Sequence, residues 1–288
     1  MDFTRSRELA AAFEYLDEAG STNDELVERA LGPDAADWPD LSVVVTDNQT
    51  MGRGRLGRVW MAPVGKSLAI SVLVRPRLPD GSPFPADRLG WLPLLTGAAM
   101  TRAVRSIVRP FVDDLARAAA EDGAPGAVDV DLKWPNDVLI SGYKVSGVLA
   151  ELLPGVGASG TPGVVIGAGV NLAFDEHDLP TPTSTSLLLV TGAAPDPDEV
   201  LAAYLSAFIG LYRALVAAGG DPDASGLRAE VTALCGTIGR EVRVELPGGD
   251  EVVGTAVGID ADGRLIVEDR ENGEPLVVGA GDVTHLRY

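Results

Sequence analysis

The pattern of apolar positions divides the chain into buried strands and amphipathic helices. Nearly continuous apolar runs at Ser42 to Thr46, Ser67 to Val74 and Val164 to Leu172 predict strands covered on both faces. Apolar residues recur with helical spacing over Trp91 to Val108 and Asp198 to Val216, which predicts two long helices. A shorter helix is predicted near the end of this part of the chain. The region between the two long helices contains further strands and turns.

The pattern changes after Cys235. Short strands separated by glycine-containing turns are predicted there, at Glu241 to Leu246, Glu251 to Gly258, Arg264 to Glu268 and Pro275 to Val278. Closely spaced short strands with such turns are typical of a small β-barrel. We therefore predict a larger domain at residues 1–234 and a small β domain at residues 235–288.

Two stretches fit neither the strand pattern nor the helix pattern. Arg109 to Val128 is rich in Pro, Gly, Ala and acidic residues and is interpreted as a peripheral insertion, partly helical. Asp47 to Gly65 is predicted to be a long loop, and loops of this length in compact domains usually have a function.

Composition limits the class of protein. At 288 residues and 46% hydrophobic, the chain can bury a sizeable core, and no apolar run approaches the roughly 20 residues of a membrane span. The N-terminal residues carry no secretory apolar segment, and the single Cys235 excludes an internal disulfide framework. The formal net charge of −19 opposes binding to DNA or to an anionic membrane. We expect a cytoplasmic protein with neither DNA nor membrane as a partner.

The long loop carries an unusual motif. Three glycines and three arginines alternate from Gly52 to Arg58, and Trp60 follows. Glycine lets the backbone approach a ligand closely, and arginine offers a planar fork that suits phosphate and carboxylate oxygens. The spelling also fits G-x-G-x-x-G, but a dinucleotide fold needs a helix opening at the glycines, and Val59 to Pro63 does not begin one. A solvated surface loop is the remaining alternative.

Lysine is rare, and its placement is informative. Lys66, Lys133 and Lys144 are the only three, and the last two lie within twelve residues. In the string Lys133-Trp134-Pro135-Asn136-Asp137, the proline interrupts the strand ladder, so the chain must bend there. A tight turn at Ser141-Gly142 then brings Lys144 back beside Asn136 and Asp137. The Asp and Lys form either a structural ion pair or part of a ligand site.

A third polar cluster lies near the N-terminus. Ser21-Thr22-Asn23 precedes a short predicted helix, and Thr22 and Glu25 have the spacing of a capping box. The cluster is either only a helix start or a site where side chains and free helix-end amides bind a polar ligand.

The order and spacing of these motifs resemble those of the biotin protein ligases, the biotin–[acetyl-CoA-carboxylase] ligases. The resemblance rests on Ser21-Thr22-Asn23, Gln49 with the Gly52–Trp60 loop, Lys133–Asp137 with Lys144 and Gly147, Gly167–Asn171, Ser184–Leu187 and the C-terminal β domain. It implies an α+β fold of the class II synthetase-like type, with a mixed or antiparallel sheet flanked by helices, followed by an SH3-like β-barrel. It also implies a two-step reaction with ATP, Mg²⁺ and biotin. Biotinyl-5′-AMP forms first, and biotin then passes to a lysine of the biotin carboxyl carrier domain of acyl-CoA carboxylases.

By position, the resemblance assigns roles to individual residues. It implies that Lys144, Arg53 and Arg55 are catalytic. The implied biotin contacts are Ser21, Thr22, Asn23, Gln49, Gly52, Arg53, Arg55, Lys144, Gly147 and Leu149. The implied ATP and adenylate contacts are Arg53, Gly54, Arg55, Leu56, Gly57, Arg58, Trp60, Asn136, Asp137, Lys144 and Asn171. No metal ligand is assigned with certainty, and Asp137 is the candidate for an indirect Mg²⁺ contact. Lys133 is either ligand-facing or structural.

Two departures from the family pattern shape the expectation. Leu56 stands where many members have another arginine, which predicts weaker retention of the adenylate. Only twenty residues precede Ser21, too few for the DNA-binding domain of repressor-type members, so we expect a ligase without DNA binding. The alternatives are a lipoate or octanoate ligase of the same superfamily and a biotin or nucleotide sensor without turnover. Monomer and homodimer are both compatible with the sequence.

Overall fold

A computed structural model describes residues 1–122, 128–154, 163–246 and 249–286 of the chain. The helices in these ranges are α1 Thr4–Leu9, α2 Thr22–Leu31, α3 Leu92–Asp122, α4 Leu187–Thr191, α5 Pro197–Ala217 and α6 Leu227–Leu234. The first nine strands are β1 Ala12–Tyr15, β2 Ser42–Thr46, β3 Gly52–Arg53, β4 Val59–Trp60, β5 Ser67–Val74, β6 Val130–Lys133, β7 Asp137–Ile140, β8 Tyr143–Leu153 and β9 Gly163–Asn171. The last five are β10 Glu241–Glu245, β11 Glu251–Ile259, β12 Leu265–Asp269, β13 Pro275–Val278 and β14 Asp282–His285.

The larger part of the chain is built on a seven-stranded sheet with the order β1-β2-β5-β9-β8-β7-β6. Strands β1 and β2 are parallel, and the other pairings in this sheet are antiparallel. Helices cover both faces, which is why β5 is buried along its whole length. The predicted α+β fold with a mixed sheet flanked by helices is confirmed.

Side-chain alternation sends neighbouring residues of one strand to different cores. On β2, Val43 and Val45 pack into the large core with α3 and α5, whereas Val44 packs with Leu26 of α2 on the opposite face. Helix α2 is short, so it covers only part of its face. Beyond Val165, the side of β9 that faces α2 continues with residues too small to fill the space. The sheet therefore forms the floor of an open cleft past the end of α2.

The C-terminal strands form a separate antiparallel sheet with the order β13-β12-β11-β10-β14. Its apolar residues alternate inward, as at Val242 and Val244, which are fully buried. Two tryptophans of the larger part hold this sheet in place, because Trp134 Nε1 donates to Gly263 O at 3.0 Å and Trp91 Nε1 donates to Ala261 O at 2.9 Å. The predicted small C-terminal β domain is confirmed.

Several local predictions need correction. Helix α3 does not end at Val108 but continues to Asp122, so the stretch interpreted as a partly helical insertion is helical over residues 109–122, and residues 123–127 lie outside the described ranges. The loop from Asp47 to Gly65 contains a two-stranded hairpin, β3–β4. Strands β1 and β14 were not predicted.

Among the described residues, α5 is the one helix long and apolar enough to cross a membrane, with a mean hydropathy of 1.8 over 18 residues. Its side chains at Leu201, Tyr204, Leu205 and Phe208 are buried in the large core. The core helix of a folded domain meets the same criterion of length and composition.

Candidate functional site

One end of the cleft consists of buried hydroxyl and amide groups. Gln49 Oε1 accepts from the Thr22 N–H at 2.9 Å, and Ser71 Oγ lies 2.8 Å from Thr22 Oγ1 and 2.6 Å from Asn23 Oδ1. Asn23 Nδ2 donates to Glu151 Oε2 at 2.6 Å. We call Ser21, Thr22, Asn23, Gln49 and Ser71 the hydroxyl–amide end. Because Thr22, Asn23, Gln49 and Ser71 bind one another, their side chains are fixed in place before any ligand arrives.

This network replaces the predicted capping box. Ser21 is the N-cap residue of α2 but makes no side-chain cap, and Thr22 is already the first helical residue. The Thr22 hydroxyl is 3.3 Å from Gln49 Oε1, and Glu25 binds Arg29 instead of the helix end. The capping-box prediction is wrong, since the polar side chains at the start of α2 contact the cleft.

The cleft floor is glycine because functional side chains lie directly on it. A Cβ atom at Gly167 would stand 2.5 Å from Asn23 Oδ1, and one at Gly169 would collide with the Trp60 indole ring. The two glycines have the same side-chain parity on β9, so they face the cleft together. The Trp60 Nε1 is buried and has no hydrogen-bond partner within the described ranges, which leaves a donor for a ligand.

The opposite end of the cleft is formed by the strands β6, β7 and β8. The turn at Ser141-Gly142 has positive φ at both residues, and it returns the chain so that Leu139 pairs with Lys144. Lys144 Nζ lies 2.7 Å from Asp137 Oδ1. A Cβ at Gly147 would stand 3.0 Å from the same Nζ, so this glycine makes room for the lysine. The ion pair that the sequence offered as one of two alternatives is present, and both of its residues line the cleft.

Lys133 lines the same end of the cleft. Burial lowers the pKa of Lys133, and the nearby carboxylates of Asp137 and Asp282 oppose that shift. An anionic ligand in the cleft would stabilise the charged form of this desolvated lysine. We call Lys133, Lys144 and Arg55 the cationic end.

Arg55 is held by neutral oxygens. Its Nη1 donates to Asn136 Oδ1 at 2.9 Å, and its Nη2 donates to Gly281 O at 3.2 Å. Burial lowers the pKa of Arg55, although its charge is retained because the guanidinium group is so strongly basic. Its charge is therefore not neutralised by a hydrogen-bonded carboxylate and remains available to a bound anion.

The other two arginines of the Gly/Arg motif bind carboxylates. Arg53 Nη2 donates to Asp24 of α2 and, at 3.1 Å, to Glu151 of β8. Arg58 pairs with Asp282 of β14. The β3–β4 hairpin is thus tied to α2 at its base and to the C-terminal domain at its tip.

The C-terminal domain contributes to the cleft, which the sequence did not predict. Residues of β14 line it, namely Asp282, Val283, Thr284 and His285. Thr237 accepts from the Trp134 N–H at 3.1 Å and lies 3.0 Å from His285 Nε2, so β14 is attached next to the Lys133–Asp137 string. No local sequence signal marks these residues, since their neighbours in the cleft are more than a hundred positions away in the chain.

The cleft has a volume of about 750 Å³. The predicted site residues that line it are Ser21, Thr22, Asn23, Gln49, Arg53, Gly54, Arg55, Leu56, Arg58, Trp60, Asn136, Asp137, Lys144, Gly147, Leu149 and Asn171. Gly52 and Gly57 are not among its lining residues. Gly52 has a packing reason instead, since a Cβ there would collide with Trp60 O, and Gly57 has a φ of 74° in a turn.

Within the described residues, no group of three or more His, Cys, Asp or Glu side chains could hold a metal ion. A Mg²⁺ ion that binds chiefly to nucleotide phosphates needs only one or two protein carboxylates. Asp137 is a carboxylate at the cationic end, so the residues fit an ion of that kind.

Comparisons with known proteins agree with this geometry. Residues 22–171 match the Biotin/lipoate A/B protein ligase family, and residues 237–286 match the Biotin protein ligase C terminal domain. The chain is 39% identical over 273 residues to a biotin–[acetyl-CoA-carboxylase] ligase of Mycobacterium tuberculosis, covering 94% of this chain and 87% of that protein. It is 33% identical to the enzyme of the same name from Paracoccus denitrificans, covering 86% and 90% respectively.

A solved structure has the same fold. The biotin protein ligase from Aquifex aeolicus in complex with biotin and ATP superposes with a TM-score of 0.69 at 25% identity, covering 96% of this chain and 99% of that one. The sequence matches, the shared fold and the two-ended cleft all point the same way. The chain therefore belongs to the Biotin/lipoate A/B protein ligase family, and within it to the biotin protein ligases.

Proposed function

We propose that this protein activates biotin with ATP and transfers it to a lysine of the biotin carboxyl carrier domain of an acyl-CoA carboxylase. The observation that supports this proposal is that one cleft has a fixed hydroxyl–amide end and a cationic end. Biotin has a matching division, because its ureido ring needs neutral hydrogen-bond partners and its carboxylate must meet a triphosphate.

In the first step, a carboxylate oxygen of biotin attacks the α-phosphorus of ATP, the bond to the bridging oxygen breaks, and pyrophosphate leaves. Both reactants are anions, so the protein must position them and stabilise charge at phosphorus. We assign that work to Lys144 and Arg55, with Lys133 as a further phosphate contact. Asp137 orients the Lys144 ammonium through the 2.7 Å ion pair.

The remaining contacts follow from the placement of each side chain. The ureido ring is assigned to Ser21, Thr22, Asn23 and Gln49, whose oxygens and amide nitrogens match its donors and acceptor. Leu149 and Gly147 form the floor beneath biotin. The adenosine is assigned to Trp60, Asn136, Asn171 and the backbone of Gly54. Arg53 reaches the ligand through its backbone, since its guanidinium binds Asp24 and Glu151.

Mg²⁺ accompanies the triphosphate in this proposal. Asp137 is the residue that would hold it, and a bound ion would neutralise phosphate charge. We also infer the division into residues 1–234, which bind biotin and ATP, and residues 235–288, which close the cationic end through β14. Helix α6 ends at Leu234, and the first strand of the second sheet begins at Glu241.

In the second step, the ε-amine of the acceptor lysine attacks the carbonyl carbon of biotinyl-5′-AMP. The new C–N bond forms, the C–O bond to phosphate breaks, AMP leaves with the electron pair, and the amine releases a proton to solvent. No covalent intermediate with the protein is required. This agrees with a cleft whose reactive groups are cations and amides.

The test is release of pyrophosphate from ATP with biotin, lipoate or octanoate as the acid, with and without a biotin carrier domain. We expect release with biotin and subsequent labelling of the carrier lysine. Release with lipoate or octanoate but not biotin would establish the alternative ligase of the same superfamily. Tight biotin binding without pyrophosphate release would establish a sensor.

A further inference from the structure

The β3–β4 hairpin and its flanks expose apolar side chains to solvent. Among the described residues, thirteen large apolar side chains are exposed, and five of them fall within fourteen positions. These five form what we call the apolar collar: Met51 (68% exposed), Leu56 (71%), Val59 (68%), Met61 (67%) and Val64 (66%). A concentration of this kind marks an interaction surface, whereas single exposed apolar residues are ordinary.

The collar lies at the mouth of the cleft. Leu56, Val59 and Met61 line the cleft, whereas Met51 and Val64 are outside its lining. Gly52 pairs with Trp60 across the hairpin, so Met51 and Met61 flank that pair on the two strands. The Met51 backbone is fixed by a 2.7 Å hydrogen bond from its N–H to Gly20 O. The exposed side chain of Met51 is therefore held at the rim.

The guanidinium groups of the same hairpin already have partners within the protein. The guanidinium of Arg53 binds Asp24 and Glu151, that of Arg55 binds Asn136, and that of Arg58 binds Asp282. The hairpin therefore offers another molecule the exposed side chains of the apolar collar together with arginines whose charges are already engaged. Met is enriched and charged residues are depleted at the centres of protein interfaces.

Chemistry identifies the occupant, on the condition that the proposed function is correct. The acceptor amine must reach a carbonyl carbon inside the cleft, and a lysine side chain has only a four-carbon stem. The acceptor's surface must therefore touch the rim. A second copy of this chain is a poorer occupant, because it would bring the same net charge of −19.

We propose that the apolar collar is the docking surface for the acceptor carrier domain, and that it contacts an uncharged, apolar turn around the acceptor lysine. The contact acts only in the second step. It positions the lysine amine above the mixed anhydride, and it takes no part in forming the adenylate.

The experiment separates the two steps for Met51→Ser and Val64→Ser, which alter collar residues outside the cleft lining. Step one is followed as biotin-dependent pyrophosphate release without carrier, using hydroxylamine as a small amine acceptor. Step two is followed as carrier labelling across a range of carrier concentrations. Matched controls are Leu276→Ser and Val277→Ser on β13, an exposed edge strand of the C-terminal sheet.

We expect each collar variant to raise the KM for carrier about tenfold, the effect typical of removing one useful interface side chain. The KM values for biotin and ATP and the rate with hydroxylamine should stay at wild-type values. Met51→Leu should restore carrier KM, because it restores apolar area without the thioether. Added salt should not raise the carrier KM, since the contact is apolar rather than ionic.

Three results would overturn the inference: a wild-type carrier KM in both collar variants, an equal loss in the β13 controls, or an equal loss in step one. A wild-type dimer that dissociates in Met51→Ser would show that the collar's occupant is a second copy. Failure of the proposed function has a different signature, since the wild-type protein itself would then release no pyrophosphate with biotin.

Discussion

The two ends of the cleft are built in different ways. The hydroxyl–amide end is formed by the start of α2, by Ser71 of β5 and by Gln49, which precedes the β3–β4 hairpin. Its members Thr22, Asn23 and Ser71 are at most 4% exposed. Thr22, Asn23, Gln49 and Ser71 are linked to one another by hydrogen bonds. The cationic end combines β6, the β7–β8 hairpin, the Gly/Arg motif and β14, and Arg58 at its edge has a side chain 60% exposed.

The difference separates recognition from catalysis. Neutral hydrogen bonds in a buried site cost little to maintain and are expensive to leave unmade, so the hydroxyl–amide end selects by shape and polarity. At the cationic end, Arg55 is bound by neutral oxygens and Lys133 is desolvated, so both cations can stabilise negative charge that appears during the reaction. Substitutions that add bulk should impair ligand binding at the hydroxyl–amide end, and substitutions that remove charge should impair the function of the cationic end.

Loss of the Lys144 ammonium should have the largest effect. We expect Lys144→Ala to reduce biotin-dependent pyrophosphate release by about 10²–10³-fold, the range found when one preorganised charge-stabilising group is removed. The fold should remain, because the Lys144–Asp137 pair is partly solvent-exposed and contributes little to stability. Biotin affinity measured by calorimetry in the absence of ATP should change much less.

Lys66→Ala is the matched control. Lys66 pairs with Asp175 and Asp178 outside the cleft lining, so its removal deletes the same charge from the protein without touching the site. If Lys144→Ala released pyrophosphate at the wild-type rate, the assignment of Lys144 to the phosphorus would be wrong.

Arg55 should control retention of the intermediate. In Arg55→Ala we expect biotinyl-5′-AMP to escape about ten times faster, because a charged hydrogen-bond partner of a phosphate contributes roughly 1.5–3 kcal/mol. Escape is measured by chasing labelled adenylate with an excess of unlabelled biotin and ATP. Arg53→Ala provides the contrast, since that guanidinium is bound by two carboxylates and its loss should affect biotin KM more than adenylate escape. If biotinyl-5′-AMP escaped equally fast from the wild type and from Arg55→Ala, the assignment of Arg55 to the phosphate would be wrong.

A pair of glycine substitutions tests the comparison directly. Gly167→Ala places a methyl group against Asn23 at the hydroxyl–amide end, and Gly169→Ala places one against the Trp60 indole. Overpacking of this kind costs about 1–3 kcal/mol, which corresponds to a change in KM of roughly 5- to 150-fold. We expect Gly167→Ala to raise the KM for biotin and Gly169→Ala to raise the KM for ATP.

Gly210→Ala serves as the control for these variants. No atom lies within 4 Å of a Cβ built at Gly210, which is in the interior of α5, so the substitution should leave both KM values unchanged and slightly stabilise the helix. Equal changes in both KM values for Gly167→Ala and Gly169→Ala would mean that the two ends are not separate.

The same contrast explains what the sequence could predict. Apolar runs located β2, β5 and β9, and the turn at Ser141-Gly142 located the β7–β8 hairpin, because local spacing alone specifies these elements. The same turn placed Lys144 beside Asp137, and the ion pair agrees. All of these correct predictions concern residues that are close together in the sequence.

Features that depend on distant parts of the chain were not predicted. Asp282 reaches Arg58 across 224 positions, and nothing near Asp282 in the sequence indicates a cleft. The resemblance implied that Arg53 contacts biotin and the adenylate, and in the structure its guanidinium binds Asp24 and Glu151. A motif reports which residue types are present, whereas competition between a ligand and the protein's own carboxylates depends on the tertiary structure.

The Arg58–Asp282 pair should give the smallest effect, and its response to pH distinguishes the two ends. The hydrogen bond from Arg58 lowers the pKa of Asp282 below the ordinary value of 3.8. A lowered pKa in the folded state means that the pair stabilises the fold above pH about 4 and that this stabilisation disappears as pH falls through the folded-state pKa.

Because Arg58 is largely exposed, we expect Asp282→Asn to lower the free energy of unfolding by only about 0.2–1 kcal/mol at pH 7. In urea titrations this difference from wild type should shrink as pH falls below about 4, and added salt should also reduce it at pH 7. The difference caused by Ser71→Ala at the hydroxyl–amide end should stay constant under both changes, since it involves no charge. If Ser71→Ala followed salt and Asp282→Asn did not, the distinction between a neutral end and a charged end would fail.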